Sequence, residues 1–97
     1  MPCPKEWLKF FKAVCEKNRQ IVLKILREQG EVNATTIIKQ TKLSQPTVSH
    51  HLHILCEAGV IAAKKKHREV FYAIDNDNIR NYCQGFMKSF GCCRKCK

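Results

Sequence analysis

Carboxylates are scarce in this chain. Eight Asp and Glu stand against eighteen Lys and Arg, which leaves a formal charge of +10. Such an excess favours a polyanion as partner, although it also serves plain solubility. No apolar run approaches the length that spans a bilayer, and the N-terminus lacks the apolar core of a signal peptide. The chain therefore reads as cytoplasmic. There is no internal repeat, low-complexity tract or linker, and 97 residues leave room for one domain spanning 1–97. No acid–base pair and no phosphate-cradling loop is present, so an enzyme is not expected. A chain this short buries a modest core, which makes pairing with a second copy a source of stability.

Cysteine, by contrast, is plentiful, and its count of seven is odd. In a reduced compartment that is a poor basis for disulfide scaffolding and a better one for thiol chemistry or soft-metal binding.

Ser44 to Glu57 is the stretch around which the chain is organised. Ser44 can cap a helix, and Pro46 is tolerated in a first turn, where backbone N–H groups have no partner within the helix. Val48, Leu52 and Leu55 then recur at i, i+4 and i+7 as one narrow apolar stripe. On the rest of the surface, Gln45, Thr47, Ser49, His50 and His53 donate and accept hydrogen bonds over moderate reach. That inventory suits base edges in a major groove. An ordinary surface helix would show a similar stripe, so the neighbouring segments decide.

Pro4 can open a first helix from Lys5 to about Glu16, where Trp7, Leu8, Phe10, Phe11 and Val14 form more apolar surface than a small core absorbs. Part of it is expected to face a partner subunit. Asn18 can cap a second helix that runs to Gln29, with Ile21, Val22, Ile25 and Leu26 inward and Gly30 ending it. Asn33 starts a short third helix, and Thr41-Lys42-Leu43 turns into the helix from Ser44. Two helices joined by a turn of about three or four residues, the second polar outside, make a helix-turn-helix.

After Gly59 the pattern changes to strand. Val60 to Lys64 and Glu69 to Ile74 are rich in β-branched and aromatic residues, with Lys65-Lys66-His67-Arg68 as a basic tip between them. Phe71 and Tyr72 would anchor opposite faces of the returning strand. Without Gly, the tip must either be longer than two residues or place His67 in a left-handed conformation. From about Asn76 to 90, Ile79, Tyr82, Cys83, Phe86, Met87 and Phe90 follow helical spacing. The expected fold is mainly α with a small β-hairpin: a winged helix-turn-helix between two amphipathic helices.

Three separated segments resemble the ArsR/SmtB winged-helix transcriptional repressors. Leu43-Ser44-Gln45-Pro46-Thr47-Val48-Ser49-His50-His51-Leu52 is close to the family's L-S-Q-x-T-V-S-x-H-L pattern. Glu57-Ala58-Gly59-Val60-Ile61 and Arg68-Glu69-Val70-Phe71-Tyr72-Ala73-Ile74 match the exit from that helix and the returning strand. Ala13-Val14-Cys15-Glu16-Lys17-Asn18-Arg19 resembles A-L-x-D-P-T-R, with Glu, Lys and Asn in place of Asp, Pro and Thr. The resemblance covers about Phe10 to Phe90. It implies a homodimer through the first and last helices, binding to double-stranded operator DNA, and release by an inducer. On that reading Gln45, Thr47, Ser49 and His50 contact bases or phosphates, while His51 packs inward beside Leu52. Lys39 and Lys42 flank the turn, and Lys64, Lys65, Lys66, His67 and Arg68 form a wing on the phosphates, where contacts position without naming a sequence.

The resemblance also says where inducers bind in the family. The arsenic-type C-x-C would fall on Asn33 and Thr35, so that site is missing. The zinc-type site on the last helix begins with Asp75 and Asp77 but finds no histidine after them. The second helix, from Arg19 to Gln29, lacks the cysteine of the persulfide sensors. Cys92, Cys93 and Cys96 remain, in a tail covering 91–97. Three thiols within five residues can converge on As(III) or another thiophilic ion as inducer, and Arg94 and Lys95 favour the thiolate. Some arsenic-responsive members of the family carry such a C-terminal cluster. A frayed tail with idle thiols is the bland alternative. Cys15 could add a ligand across the dimer but more simply packs; Cys56 reads as packing, Cys83 as core or interface, and Cys3 as uncommitted. No metal is expected to be needed for folding. A thiol-redox-responsive repressor of the same fold is the alternative function. An oxidoreductase using Cys93-x-x-Cys96 lacks the βαβ setting such a motif needs.

Overall fold

In a computed structural model describing residues 5–90, five helices surround a three-stranded sheet. The helices are α1 (Lys5–Val14), α2 (Lys17–Gln29), α3 (Ala34–Thr41), α4 (Gln45–Glu57) and α5 (Asn76–Phe90). The strands are β1 (Val32–Asn33), β2 (Ile61–Lys66) and β3 (Glu69–Ile74), antiparallel in the order β1-β3-β2. The winged helix-turn-helix expected from the sequence is present. β1 leaves no signature in the sequence: two residues carry no readable period, and their partners Phe71 and Tyr72 lie some 40 positions on.

Each helix begins and ends for a local reason. Glu16, not Asn18, caps α2, its carboxylate accepting from the Arg19 N–H at 2.8 Å. The reason is tertiary: with the cap at Glu16, Arg19 donates from Nε to Ala13 O and Gln20 from Nε2 to Val14 O. Those carbonyls at the end of α1 have no partner within the helix. Asn33 caps α3 through Thr36 N, and Lys42 ends it in the left-handed region at φ 61°. Thr41 belongs to α3, so the turn into α4 is Lys42 to Ser44. Ser44 Oγ accepts from Thr47 N, and Pro46 sits in the first turn of α4.

The core gathers one face from every helix up to α4. Val48, Leu52 and Leu55 are buried as their spacing predicts, against Val22, Leu26, Ile37 and Val60. On α2 the buried set is Val22, Ile25 and Leu26, whereas Ile21 is 41% exposed. One step of about 100° carries Ile21 off the inward stripe. α1 and α5 lie together: Phe10 stacks on Tyr82 with ring centroids 4.6 Å apart, and Trp7 lies over Gly85. Leu8 and Met87 stay exposed. The side chains of Phe86 and Phe90 lie outside the described residues.

Gly59, with φ 79°, takes the chain from α4 into β2. A Cβ there would sit 2.6 Å from Asn78 Nδ2, which donates to Gly59 O. Asp75 Oδ1 accepts from Asn78 N, so that carboxylate starts α5.

Candidate nucleic-acid interface

α4 has a dry side and a wet side. Away from the buried stripe Ser49 and His50 are exposed, and so is Gln45, which begins the helix beyond the end of the core; none of the three side chains is engaged in a hydrogen bond or ion pair with a described residue. Gln45 and Ser49 are one turn apart, so they point the same way. Thr47 is less available than the sequence suggested, because its hydroxyl accepts from Ser44 Oγ at 2.8 Å and is half-buried. His53 pairs with Glu57 at 3.4 Å, one turn on. Lys39, in the last turn of α3, and Lys42, the first residue of the turn, are both exposed.

His51 is buried, 7% exposed, as its angular position beside the stripe predicts. Its Nδ1 lies 3.3 Å from Arg19 Nη1, the same guanidinium whose Nε holds Ala13 O. Since guanidinium only donates, Nδ1 accepts and the ring proton sits on Nε2. Burial holds the imidazole below its ordinary value of 6.5; Glu16 opposes that shift, while Arg19 and His50 add to it. A neutral His51 and a charged Arg19 thus tie the underside of α4 to the α1–α2 corner.

The wing differs from the expected basic tip. Lys65 and Lys66 belong to β2, and a two-residue turn of His67 and Arg68 closes the hairpin, with Lys66 opposite Glu69. Both turn residues are left-handed, at φ 50° and 70°. That is the turn hairpin twist demands, reached here without glycine. Strand alternation then splits the lysines. Lys64 and Lys66 share one face and both reach Glu31, at 3.6 and 2.6 Å; Lys65 points to the other. Asn33 Nδ2 donates to Glu69 on the returning strand. Glu31 and the Asn33–Glu69 bond had no sequence signal, since each joins residues more than 30 apart. The alternation of Lys64, Lys65 and Lys66 was there to be read.

Of the cysteines, Cys15 and Cys83 are exposed, against the packing expected of Cys15 and against a place for Cys83 in the core of the single chain. Cys15 lies past the last turn of α1, and Cys83 sits one step round α5 from the covered Tyr82. Cys56 is half-buried against the core, and burial pushes its thiol up, away from the thiolate that binds metals. Among the described residues no group of three His, Cys, Asp or Glu side chains could hold a metal ion. Cys3, Cys92, Cys93 and Cys96 lie outside them. Nor is any described helix long and apolar enough to cross a membrane.

Known proteins share this arrangement. Residues 16–63 match the family described as bacterial regulatory protein, arsR family. A helix-turn-helix transcriptional regulator of Methanocaldococcus jannaschii is 41% identical over 70 residues, covering 72% of this chain and 79% of that one. The transcriptional repressor SdpR of Bacillus subtilis is 34% identical over 71 residues, 73% and 78% of the two chains. A homodimeric winged helix-turn-helix domain of Mycobacterium bovis superposes with a TM-score of 0.70 at 24% identity, over 87% of this chain and 78% of that domain. The chain belongs to the arsR family: it is a winged-helix, DNA-binding transcriptional regulator and not an enzyme.

Proposed function

We propose that two copies pair through α1 and α5, set each α4 into a major groove, and leave the operator when Cys92, Cys93 and Cys96 take up a thiophilic metalloid or metal ion. The observation that carries the DNA reading is the exposed set Gln45, Ser49 and His50, free of hydrogen bonds and ion pairs with described residues, on a helix whose apolar stripe is locked in the core. Gln45 makes the bidentate amide contact with adenine, and the wing supplies affinity through phosphates. Leu8 and Met87, exposed on the two helices that already pack together, support the pairing. So does the homodimeric state of the Mycobacterium bovis domain. Two-fold operators call for two-fold proteins.

The inducer reading rests on the thiol cluster in the sequence and on more distant relatives. The cadmium resistance regulatory protein homologue of Staphylococcus aureus is 27% identical over 77 residues, and the chain spans 64% of it. The arsenical resistance operon repressor of Escherichia coli is 28% identical over 67 residues, with 57% of its length spanned. A gel shift on the DNA upstream of the protein's own gene tests both halves. Arsenite or Cd(II) should release the native protein and not the variant carrying Cys92→Ser, Cys93→Ser and Cys96→Ser. Release of that variant by the same ions removes the tail cysteines from sensing. Release by a thiol oxidant alone, reversed by a reductant, replaces metal sensing with redox sensing.

A further inference from the structure

The two faces of the wing differ in charge balance. The register sets Asn33 beside Phe71 and Phe71 beside Lys64, with Lys66 across from Glu69. Strand alternation adds Glu31, two residues before Asn33, to that face. Two carboxylates therefore sit among its two ammonium groups, and Glu31 Oε1 receives the Lys66 ammonium at 2.6 Å while Oε2 lies 3.6 Å from Lys64. The other face runs outward from buried Ile61 through Ala63 to Lys65, with Val70 opposite Lys65 and no carboxylate in the row.

We infer that Glu31 is a positioning residue of the wing, a built-in phosphate mimic that withholds Lys64 and Lys66 from DNA and leaves contact to Lys65 and Arg68. The inference rests on the wing being a phosphate contact. A carboxylate, like a phosphate diester, carries one negative charge over two oxygens, so it occupies the ammonium positions a phosphate would take. The Lys66 hydrogen bond holds the Glu31 carboxyl below its ordinary value of 4.5, so it stays ionised at neutral pH. Exposed ion pairs of this kind add little to folding. Their consequence lies in binding: a duplex must displace Glu31 or meet its charge, and each loss of a phosphate contact flattens the salt dependence. Glu31 thus lowers affinity for all sequences alike and enlarges the share of recognition left to α4.

Fluorescence anisotropy with a random-sequence duplex over a salt series tests this. Glu31→Gln should tighten binding on the order of three- to tenfold at low salt and steepen the salt slope by about 0.9 to 1.8 per protomer, as one or two lysines find phosphates. The gain should vanish when Lys64 and Lys66 are both Ala, and thermal melting of Glu31→Gln should stay near that of the native protein. Unchanged or weaker binding by Glu31→Gln, or a gain that persists without the two lysines, overturns the inference. Lys65→Ala with Arg68→Ala serves as the separate arm. If that pair leaves the slope unchanged, the wing reading itself falls; if it flattens the slope while Glu31→Gln is inert, only the role of Glu31 falls.

Discussion

The two parts of the molecule proposed to meet DNA are built on contrary plans. α4 shows uncharged polar groups above a rigid apolar underside, with Gln45, Ser49 and His50 uncommitted. The wing shows cations, half of them already answered by one acid of the same chain, Glu31. Hydrogen-bonding side chains on a fixed helix can tell one base from another, because a mismatched donor goes unpaired. Mobile ammonium groups cannot, because every phosphate is alike. The contrast teaches that charge count is a poor guide to where recognition lies in this chain.

The sharpest way to break the contrast is to loosen the underside of α4. Leu52→Ala should cost about 2–5 kcal/mol of stability by denaturant unfolding, since Leu52 is 2% exposed in the core. A loss under about 1 kcal/mol would mean that α4 is not held rigidly. Gln45→Ala comes next and should cost about 1–3 kcal/mol of binding, confined to one base pair of each half-site. Equal loss on every operator variant would make Gln45 a backbone contact and erase the distinction from the wing. Ser44→Ala should remove roughly 1 kcal/mol of stability by uncapping α4, and it should also free the Thr47 hydroxyl that Ser44 now engages.

Smallest, and most informative about the support of α4, is pH. The folded state holds His51 below its ordinary value of 6.5, so it binds fewer protons than the unfolded chain. The stability His51 contributes is therefore complete above about pH 6.5 and shrinks as pH falls below it. His51→Gln should flatten that part of the stability profile. The same slope in both proteins would assign the dependence to another group.

Much of this was legible beforehand, and the failures share a cause. The Val48–Leu52–Leu55 stripe, the inward His51 and the caps at Ser44 and Asn33 were readable because periodicity and capping are local. The α2 cap went to Glu16 because Arg19 is needed by Ala13 O and His51, partners outside any local window. Glu31 and β1 act across the sheet and left no trace nearby. The hairpin tip is two residues shorter than its basic run suggests, and of the two outcomes open to a tip without glycine the left-handed His67 is the one found. Without glycine a two-residue turn costs roughly 1–2 kcal/mol per left-handed residue, yet strand pairing from Ile61 to Ile74 holds His67 and Arg68 there.

That tight turn makes hairpin length a setting of the molecule's charge pattern. No slack exists between Lys66 and Glu69, so one residue inserted into β2 below Lys64 would rotate everything beyond it to the reverse surface. Lys65 would then swing towards Glu31, while Lys64 and Lys66 turned away from it. A single-codon insertion could thus rewire the cationic edge without adding or removing one charge.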